Sequence, residues 1–265
     1  MSRLASGLAA ALALLTPLAL LVPLVAHAEF RVRSPYEIDF GELEIEHNGS
    51  ASFDRRADRS GGQSHTIEFG TGLTPWWHAE VEFGFNRDPG FNQPTLATQF
   101  VLENMVQLTE PGEAFADFGF YFEYGQSLTT GKHAASNQVT FGPVIAKDIG
   151  RFTHTANLFL TRQLGPDQTS QGLNFSYAWQ SRWNIWPPLS PAIEVYGDAG
   201  TLGASPRLSQ QQLLVGPVGV GVLQLSQLGL GHGGRLKYEL GWLFGTTPAT
   251  AEGTLRWRLE VEIPF

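Results

Sequence analysis

Apolar and polar residues alternate with a period of two along most of the chain. The clearest case is the last segment, where the odd positions from Leu255 to Phe265 are apolar and the even positions from Arg256 to Glu262 are charged. Successive side chains of a β-strand point to opposite faces, so this period predicts strands with one apolar and one polar face. No stretch shows a convincing helical period. The pattern therefore predicts an all-β protein.

The alternation divides the chain into twelve predicted strands. Their approximate bounds are residues 42–49, 64–73, 78–87, 95–108, 114–126, 138–147, 151–162, 172–184, 191–201, 211–223, 234–244 and 253–265. Short turns, such as 74–77, follow most even-numbered strands, and longer polar loops, such as 48–64, follow the odd-numbered ones. This arrangement is typical of outer-membrane barrels. The predicted fold is a single transmembrane antiparallel up-and-down β-barrel of about 12 strands.

Residues 1–28 have a different pattern. They contain one arginine, then a long apolar run, and then the small-x-small ending Ala-His-Ala. These are the features of a secretory signal peptide, so we expect cleavage after Ala28 and a barrel domain over residues 29–265. A retained membrane anchor is the alternative, since the run is long enough to span. Two prolines within the run and the Ala-His-Ala ending disfavour it.

The composition is compatible with an exported barrel. The chain has no cysteine, so disulfides cannot stabilise it outside the cell. After residue 28 no apolar run approaches the length of a transmembrane helix, which leaves a closed barrel as the only spanning structure. No basic face or run is present, which argues against a nucleic-acid partner. A soluble β-sandwich is the alternative fold, but its core would need to be very large to bury the aromatic residues on nearly every strand.

The alternation also predicts which side chains line the lumen, because the charged face of each strand turns away from lipid. The lumen-lining candidates are Glu68, Glu80, Glu82, Glu103, Asp117, Glu123, Arg182, Glu194, Arg235, Lys237, Glu239, Arg256, Arg258, Glu260 and Glu262. Acids gather on the first five strands and bases on strands eight, eleven and twelve. Such charges set selectivity in some pores, or pair across strands and fill a solvated interior.

The last two predicted strands carry charges that favour one register. If Phe244 lies opposite Gly253, three opposite-charge pairs form on the lumen side: Arg235 with Glu262, Lys237 with Glu260, and Glu239 with Arg258. Each such pair stabilises the sheet by about 0.2–1 kcal/mol. A shift by two residues breaks at least one pair, and a shift by one turns the arginines towards lipid. We therefore predict this register.

The aromatic last residue, Phe265, follows apolar residues at every second position. This ending resembles the assembly signal of bacterial outer-membrane barrels. The resemblance implies two partners, which are outer-membrane lipid and the barrel assembly machinery acting through the C-terminal strand.

Several local phrases resemble a broad group of Gram-negative outer-membrane barrels of transporter type, including the meta-pathway phenol-degradation barrel family. They are SPYEIDFGELEIEHNG, GLTPWWHAEVE, FGPVIAKDIGRFTHTANLFL and VGPVGVGV. The resemblance covers most of residues 34–265 and is more specific for architecture than for substrate. It implies a transporter-like barrel in the bacterial outer membrane and supplies no catalytic residues.

We expect a narrow channel or transporter for small solutes, with aromatic or hydrophobic solutes among the candidates. Twelve tilted strands give a backbone radius of roughly 12 Å, so inward side chains leave a narrow passage or none. The alternatives are an outer-membrane enzyme of hydrolase type and a plugged structural barrel without transport. The sequence contains neither GxSxG nor HExxH nor paired histidines at metal spacing, so no catalytic residue, cofactor or metal is predicted.

Overall fold

The computed structural model describes residues 30–90, 92–131, 134–230 and 233–265, which form a closed antiparallel barrel of twelve strands. The strands are β1 (Glu42–Phe53), β2 (Gln63–Thr74), β3 (Trp77–Arg87), β4 (Thr95–Gln107), β5 (Asp117–Ser127), β6 (Asn137–Ile149), β7 (Phe152–Leu164), β8 (Leu173–Trp183), β9 (Ser190–Thr201), β10 (Gln212–Gln224), β11 (Arg235–Gly245) and β12 (Gly253–Pro264). Each strand pairs with its neighbours in sequence, and β12 pairs with β1. The predicted fold class is confirmed.

Helical structure is minor in the part of the chain that the structure describes. Two short 3-10 helices occur, at Leu208–Gln210 and Leu225–Leu228. No helix among the described residues is long and apolar enough to cross a membrane. The predicted signal peptide, residues 1–28, lies outside the described residues.

The C-terminal strand closes the barrel. β12 pairs with β1 without interruption from Glu42 opposite Pro264 to Phe53 opposite Gly253. Beyond the strand, the backbone N–H of Phe265 donates to the carbonyl oxygen of Gly41 over 3.0 Å. The two-faced terminal segment is therefore paired on both sides, and closure removes the open edge that a sheet would otherwise expose.

The register predicted for the last two strands is confirmed. Arg235 lies opposite Glu262, Lys237 opposite Glu260 and Glu239 opposite Arg258. Lys237 Nζ lies 3.0 Å from a carboxylate oxygen of Glu260, and Arg235 Nε lies 2.5 Å from one of Glu262. The charged pairs therefore contact each other in the register that their spacing indicates.

The first strand is longer than predicted. The alternation predicts a first strand that ends at residue 49 and a polar loop over residues 48–64. In the structure β1 continues to Phe53, since β12 supplies pairing partners as far as Phe53 and β2 as far as Ala51. Gly49 makes room for the side chain of Trp257, and a Cβ there would lie 2.2 Å from the indole ring.

The two faces of the barrel wall have opposite chemistry. Large apolar side chains are exposed on the outer face: Ile67, Phe69, Leu73, Phe83, Leu102, Phe120, Phe122, Phe152, Leu158, Trp183, Ile193, Leu240, Trp242 and Phe244. Charged and polar side chains occupy the inner face, where many are buried. A soluble protein shows the reverse distribution, and an apolar exterior around a polar lumen is the distribution of transmembrane barrels.

The two rims of the barrel differ less than predicted. The terminal rim, where β1 begins and β12 ends, has the tight connections 75–76 and 150–151. The loop rim, at the other end, has six longer connections, of which 54–62 is the first. However, the segment 225–234 at the terminal rim is as long as the loops opposite and contains the second 3-10 helix.

Candidate functional site in the barrel lumen

The segment before β1 occupies the lumen, a feature that the sequence interpretation missed. We refer to residues 30–39 as the lumen plug. Its first residues contact the middle of the wall, and its last residues contact the terminal rim, where Gly41 turns the chain into β1 with a positive φ of 83°. The barrel interior at the terminal rim is therefore filled by the protein's own chain.

Arg31 is the main ionic contact of the plug with the acidic wall. Its side chain is buried, and Nη1 lies 2.7 Å from a carboxylate oxygen of Glu68 and 3.2 Å from one of Glu80. Glu46 and Glu37 lie 3.5 Å from the same guanidinium. A planar guanidinium with five donors suits a site surrounded by carboxylates. Arg31 thereby neutralises part of the acid cluster that strands β1 to β3 present.

Arg33 binds the wall through both its backbone and its side chain. The backbone N–H donates to Asn157 Oδ1 over 2.8 Å, and Asn157 Nδ2 donates to the carbonyl oxygen of Arg33 over 2.7 Å. The guanidinium donates to Glu103 and to the hydroxyl of Tyr121, and it lies 4.6 Å from the Tyr121 ring centroid. The Asn157 amide thus satisfies both backbone groups of Arg33, as a paired strand would.

The lower part of the plug is fixed at the terminal rim. The Tyr36 hydroxyl donates to Asp117 over 2.5 Å, and Asp39 contacts Arg235 and Lys237 at 2.7 and 3.3 Å. Burial raises the pKa of Asp39, but a hydrogen bond with Glu262 and the charges of Lys237 and Arg235 outweigh burial and lower that pKa to about 2. Asp39 precedes β1 and stays ionised at neutral pH.

A second charge cluster lies on β12 and its neighbours. Arg256 donates to Glu194 over 2.8 Å and also to Glu239. Arg258 lies 2.6 Å from Glu46 and 2.5 Å from Glu260. These contacts join β9, β11, β12 and β1 across the interior, so much of the predicted wall charge is compensated internally.

The structure places the predicted lumen residues as follows. Those with buried side chains are Glu68, Glu80, Glu82, Glu103, Asp117, Glu194, Arg256, Arg258, Glu260 and Glu262, and those that are partly buried are Glu123, Arg182, Arg235, Lys237 and Glu239. Arg182 lies near the terminal rim, where its Nε donates to Asn184 Oδ1 over 2.9 Å. The predicted selectivity role of this set remains a prediction.

One side of the inner wall is apolar. Val32 of the plug belongs to a buried cluster with wall residues of β8 to β11, and Phe30 packs against that cluster. The Phe30 ring lies edge-on to Tyr196, with a centroid separation of 5.1 Å. The plug therefore has an apolar contact on one side and ionic contacts on the other.

Above the plug, on the loop-rim side, lies a vestibule of about 650 Å³. Its floor includes Phe30, Arg31 and Arg33, and its wall combines rings with side-chain amides: Tyr121, Phe159, Tyr196, Asn86, Gln99, Gln138 and Asn174. The rings of Tyr121 and Phe159 are tilted by 32° to each other, with their centroids 4.8 Å apart. Such a cavity offers rings for stacking and amides for hydrogen bonding to a small solute.

Two histidines contact each other on neighbouring strands. His47 lies within β1, where it stacks on His65 of β2 with a centroid separation of 5.5 Å. His133 and His232 lie outside the described residues.

Sequence composition could have indicated the plug. Acids of the first five strands exceed the bases available on those strands, and the only unassigned segment before β1 contains the motif Arg31-Val32-Arg33. A buried acidic wall requires compensation by cations, protons or both. The arginines that compensate the acidic wall were therefore to be expected in the segment before β1.

No family model matches the chain, and no curated protein matches it. Solved structures give weak likenesses. A double variant of OccD1 (OprD) shares 13% identity over 84% of this chain with a TM-score of 0.38, and this chain spans 65% of its length. A bacterial polysaccharide outer membrane secretin shares 12% over 85% of this chain and 99% of its own, with a TM-score of 0.42. Salmonella typhi OmpF, in complex with daunomycin, shares 8% over 84% of this chain and 96% of its own, with a TM-score of 0.36.

These likenesses are low in both identity and TM-score. The barrel is shown by the strand pairing of the chain itself. Membership of the phenol-degradation barrel family stays a prediction, because it rests on the local phrases alone.

Proposed function

We propose that this chain is an outer-membrane barrel that forms a narrow channel or transporter for small solutes, with the lumen plug as its closed state. The observation that carries the proposal is the polar vestibule, which opens towards the loop rim and ends on the plug. Outer-membrane barrels have their longer loops on the outside of the cell, so the loop rim faces the exterior and the terminal rim faces the periplasm. A solute enters the vestibule and passes only when the plug moves.

The membrane location rests on the apolar exterior of a closed barrel. Exposed phenylalanines, leucines and tryptophans on an outer wall are stable in lipid and a liability in water. We expect the chain in the outer-membrane fraction with Glu29 as its first residue. Mass spectrometry of that fraction checks this, and retention of residues 1–28 in the inner membrane contradicts it.

Polar contacts hold much of the plug in place, so removing one of them should favour displacement of the plug. Among these contacts, the Asn157 amide binds the Arg33 backbone with two hydrogen bonds. An Asn157→Ala change leaves a buried N–H and a buried C=O without this partner, at a cost of about 1–3 kcal/mol each. This change acts on the plug without altering any charge in the lumen.

The test is single-channel conductance of the refolded protein in planar bilayers. Asn157→Ala should destabilise the closed state and so raise the open fraction. A loss of about 1 kcal/mol corresponds to about a 5-fold rise, and a loss of about 2 kcal/mol to about a 30-fold rise. Thr155→Ala is the matched control, because Thr155 is buried on the same face of β7. Equal behaviour of the two variants contradicts a gating role of the plug.

The rings of the vestibule support aromatic solutes as the substrate class. Tyr121, Phe159 and Tyr196 present faces or edges on which an aromatic ring can stack. Phenolic compounds should therefore block the current of the open variant at lower concentrations than aliphatic alcohols of similar size. Equal block by phenolic compounds and aliphatic alcohols would contradict the proposed preference for aromatic solutes, but it would not contradict the proposed channel.

The second candidate is a plugged structural barrel. The burial of Arg31 among four carboxylates favours it, because separating such a buried network costs several kcal/mol. Absence of conductance in both wild type and Asn157→Ala would select this candidate. We propose no catalytic role, in keeping with the lack of a hydrolase motif in the sequence.

A further inference from the structure

The interior carries more buried acid than the arginines compensate. Among the described residues, ten acidic side chains and four arginine side chains are buried. The acids are Glu44, Glu46, Glu68, Glu80, Glu82, Glu103, Asp117, Glu194, Glu260 and Glu262, and the arginines are Arg31, Arg33, Arg256 and Arg258. Half-buried Arg235 and Lys237 add two positive charges. Buried carboxylates need further cations or protons, so the interior has a demand for positive charge.

One group of these acids surrounds a buried histidine. Glu44 on β1 and His78 and Glu80 on β3 each offer one ligand atom within 4.8 Å of the other two. His78 Nδ1 lies 3.5 Å from Glu44 Oε1, and His78 Nε2 lies 3.3 Å from Glu80 Oε1. All three residues are only 3% exposed. The group lies near the terminal rim.

Two of these ligand atoms are buried without a hydrogen bond. Glu44 Oε1 and His78 Nδ1 lack hydrogen-bond partners and lie 3.5 Å from each other. A buried polar atom without a partner destabilises the fold unless a ligand, an ion or a proton satisfies it. These two atoms are therefore an observation, separate from the charge surplus, that favours a ligand at this site.

The neighbouring strand leaves room for the group. Gly70 of β2 lies directly between Glu44 and Glu80 in the pairing. A Cβ at Gly70 would lie 2.6 Å from Glu80 Cγ and 2.8 Å from His78 Nε2. Glycine at this position lets side chains of β1 and β3 approach each other across β2.

We propose that Glu44, His78 and Glu80 form a binding site for a divalent transition-metal ion, with Zn²⁺ as the best-suited ion. One imidazole nitrogen and two carboxylate oxygens match the ligands that Zn²⁺ accepts at about 2.0–2.2 Å. Sequence spacing did not reveal the site, because His78 and Glu80 share a face only through the strand period and Glu44 comes from another strand.

The site also contacts the plug. Glu80 presents Oε1 to His78, while its Oε2 accepts from Arg31 over 3.2 Å. A bound dication and Arg31 therefore share one carboxylate and weaken each other's interaction with it. An Arg31→Gln change should tighten metal binding by a factor in the range of about 5–150.

The test is isothermal titration of Zn²⁺ into untagged protein refolded in detergent. We expect one Zn²⁺ per chain and at least about 100-fold weaker binding after His78→Ala, since even loss of a supporting contact costs 10- to 100-fold. Glu44→Gln keeps the size of the side chain and should also weaken binding. If His78→Ala fails to fold, as judged by heat-modifiable gel mobility, Glu44→Gln carries the test.

His65→Ala is the control. His47 Nε2 and His65 Nδ1 lie 3.3 Å apart, so Zn²⁺ binding to imidazoles away from Glu44 and Glu80 would involve these two residues. The proposal is overturned if Zn²⁺ fails to bind, if binding is lost in His65→Ala and kept in His78→Ala, or if Mg²⁺ binds as well as Zn²⁺ without regard to His78. The readout is binding, so failure of the channel proposal leaves this result interpretable.

Discussion

At the residue scale, the chemistry of the lumen depends on a few arginines placed among many carboxylates. The strand period predicted the acidic side chains of the wall, because every second residue of a β-strand shares a face. Arg31 and Arg33 could not be found this way, since they lie in a segment without a period. Their partners come from strands that are distant in sequence, which the strand pattern of one segment does not reveal.

Arg31 gives the sharpest prediction at this scale. Arg31→Gln removes the guanidinium charge from beside the buried carboxylates of Glu68 and Glu80, and removing one partner of a buried ion pair costs about 3–5 kcal/mol. Urea unfolding of the refolded barrel, followed by tryptophan fluorescence, measures this loss. Arg55→Gln is the control, because Arg55 is exposed and pairs with Glu252 at the loop rim. A stability of Arg31→Gln equal to that of Arg55→Gln would refute the role of Arg31.

At the element scale, strand pairing was predictable where charges alternate and unpredictable where small residues occur. The β11–β12 register followed from three opposite-charge pairs, since only one alignment satisfies all of them. The end of β1 did not follow, because strand propensity is a property of neighbours as well as of sequence. Gly49 weakens a strand in isolation but lets Trp257 pack on β1 in the closed barrel.

Gly49 therefore supplies a test of element packing. Gly49→Ala places a methyl group against the Trp257 indole, and overpacking of this kind costs about 1–3 kcal/mol. Gly219→Ala is the control, because its nearest side-chain contact would be 3.3 Å from Leu189 Cδ1. In a Trp257→Ala background the effect of Gly49→Ala should disappear. An unchanged cost in that background would show that the clash is not its cause.

Deletion of Phe265 distinguishes the role of this residue in barrel assembly from its contribution to stability. The residue is 71% exposed, and its backbone N–H donates one hydrogen bond to Gly41. Deletion of Phe265 should therefore change the unfolding free energy of refolded protein by only about 0.5–1.5 kcal/mol. In cells the same deletion should strongly lower the yield of folded barrel, if the residue is part of the assembly signal. Normal yield in the membrane fraction would count against the signal.

At the scale of the whole molecule, the barrel wall can be predicted from the sequence pattern, whereas the lumen plug cannot be predicted from the same pattern. Apolar exterior, polar interior and an even strand count follow from the period of two and the turns between strands. The contents do not, because a lumen of this width accepts side chains, water or a short peptide segment. The acid surplus of the wall is the one sequence feature that indicates a cationic occupant.

Ion selectivity tests the whole arrangement. Because acids outnumber bases on the inner wall, we expect a weak cation preference in the conducting state. The plug opposes this preference, since Arg31 and Arg33 form part of the vestibule floor. The double change Arg31→Gln and Arg33→Gln should therefore shift the reversal potential in a KCl gradient further towards the cation limit. Arg55→Gln removes one positive charge outside the lumen and should leave the reversal potential unchanged. A clear anion preference of the wild type, or an equal shift in Arg55→Gln, would show that the wall and plug charges do not control permeation.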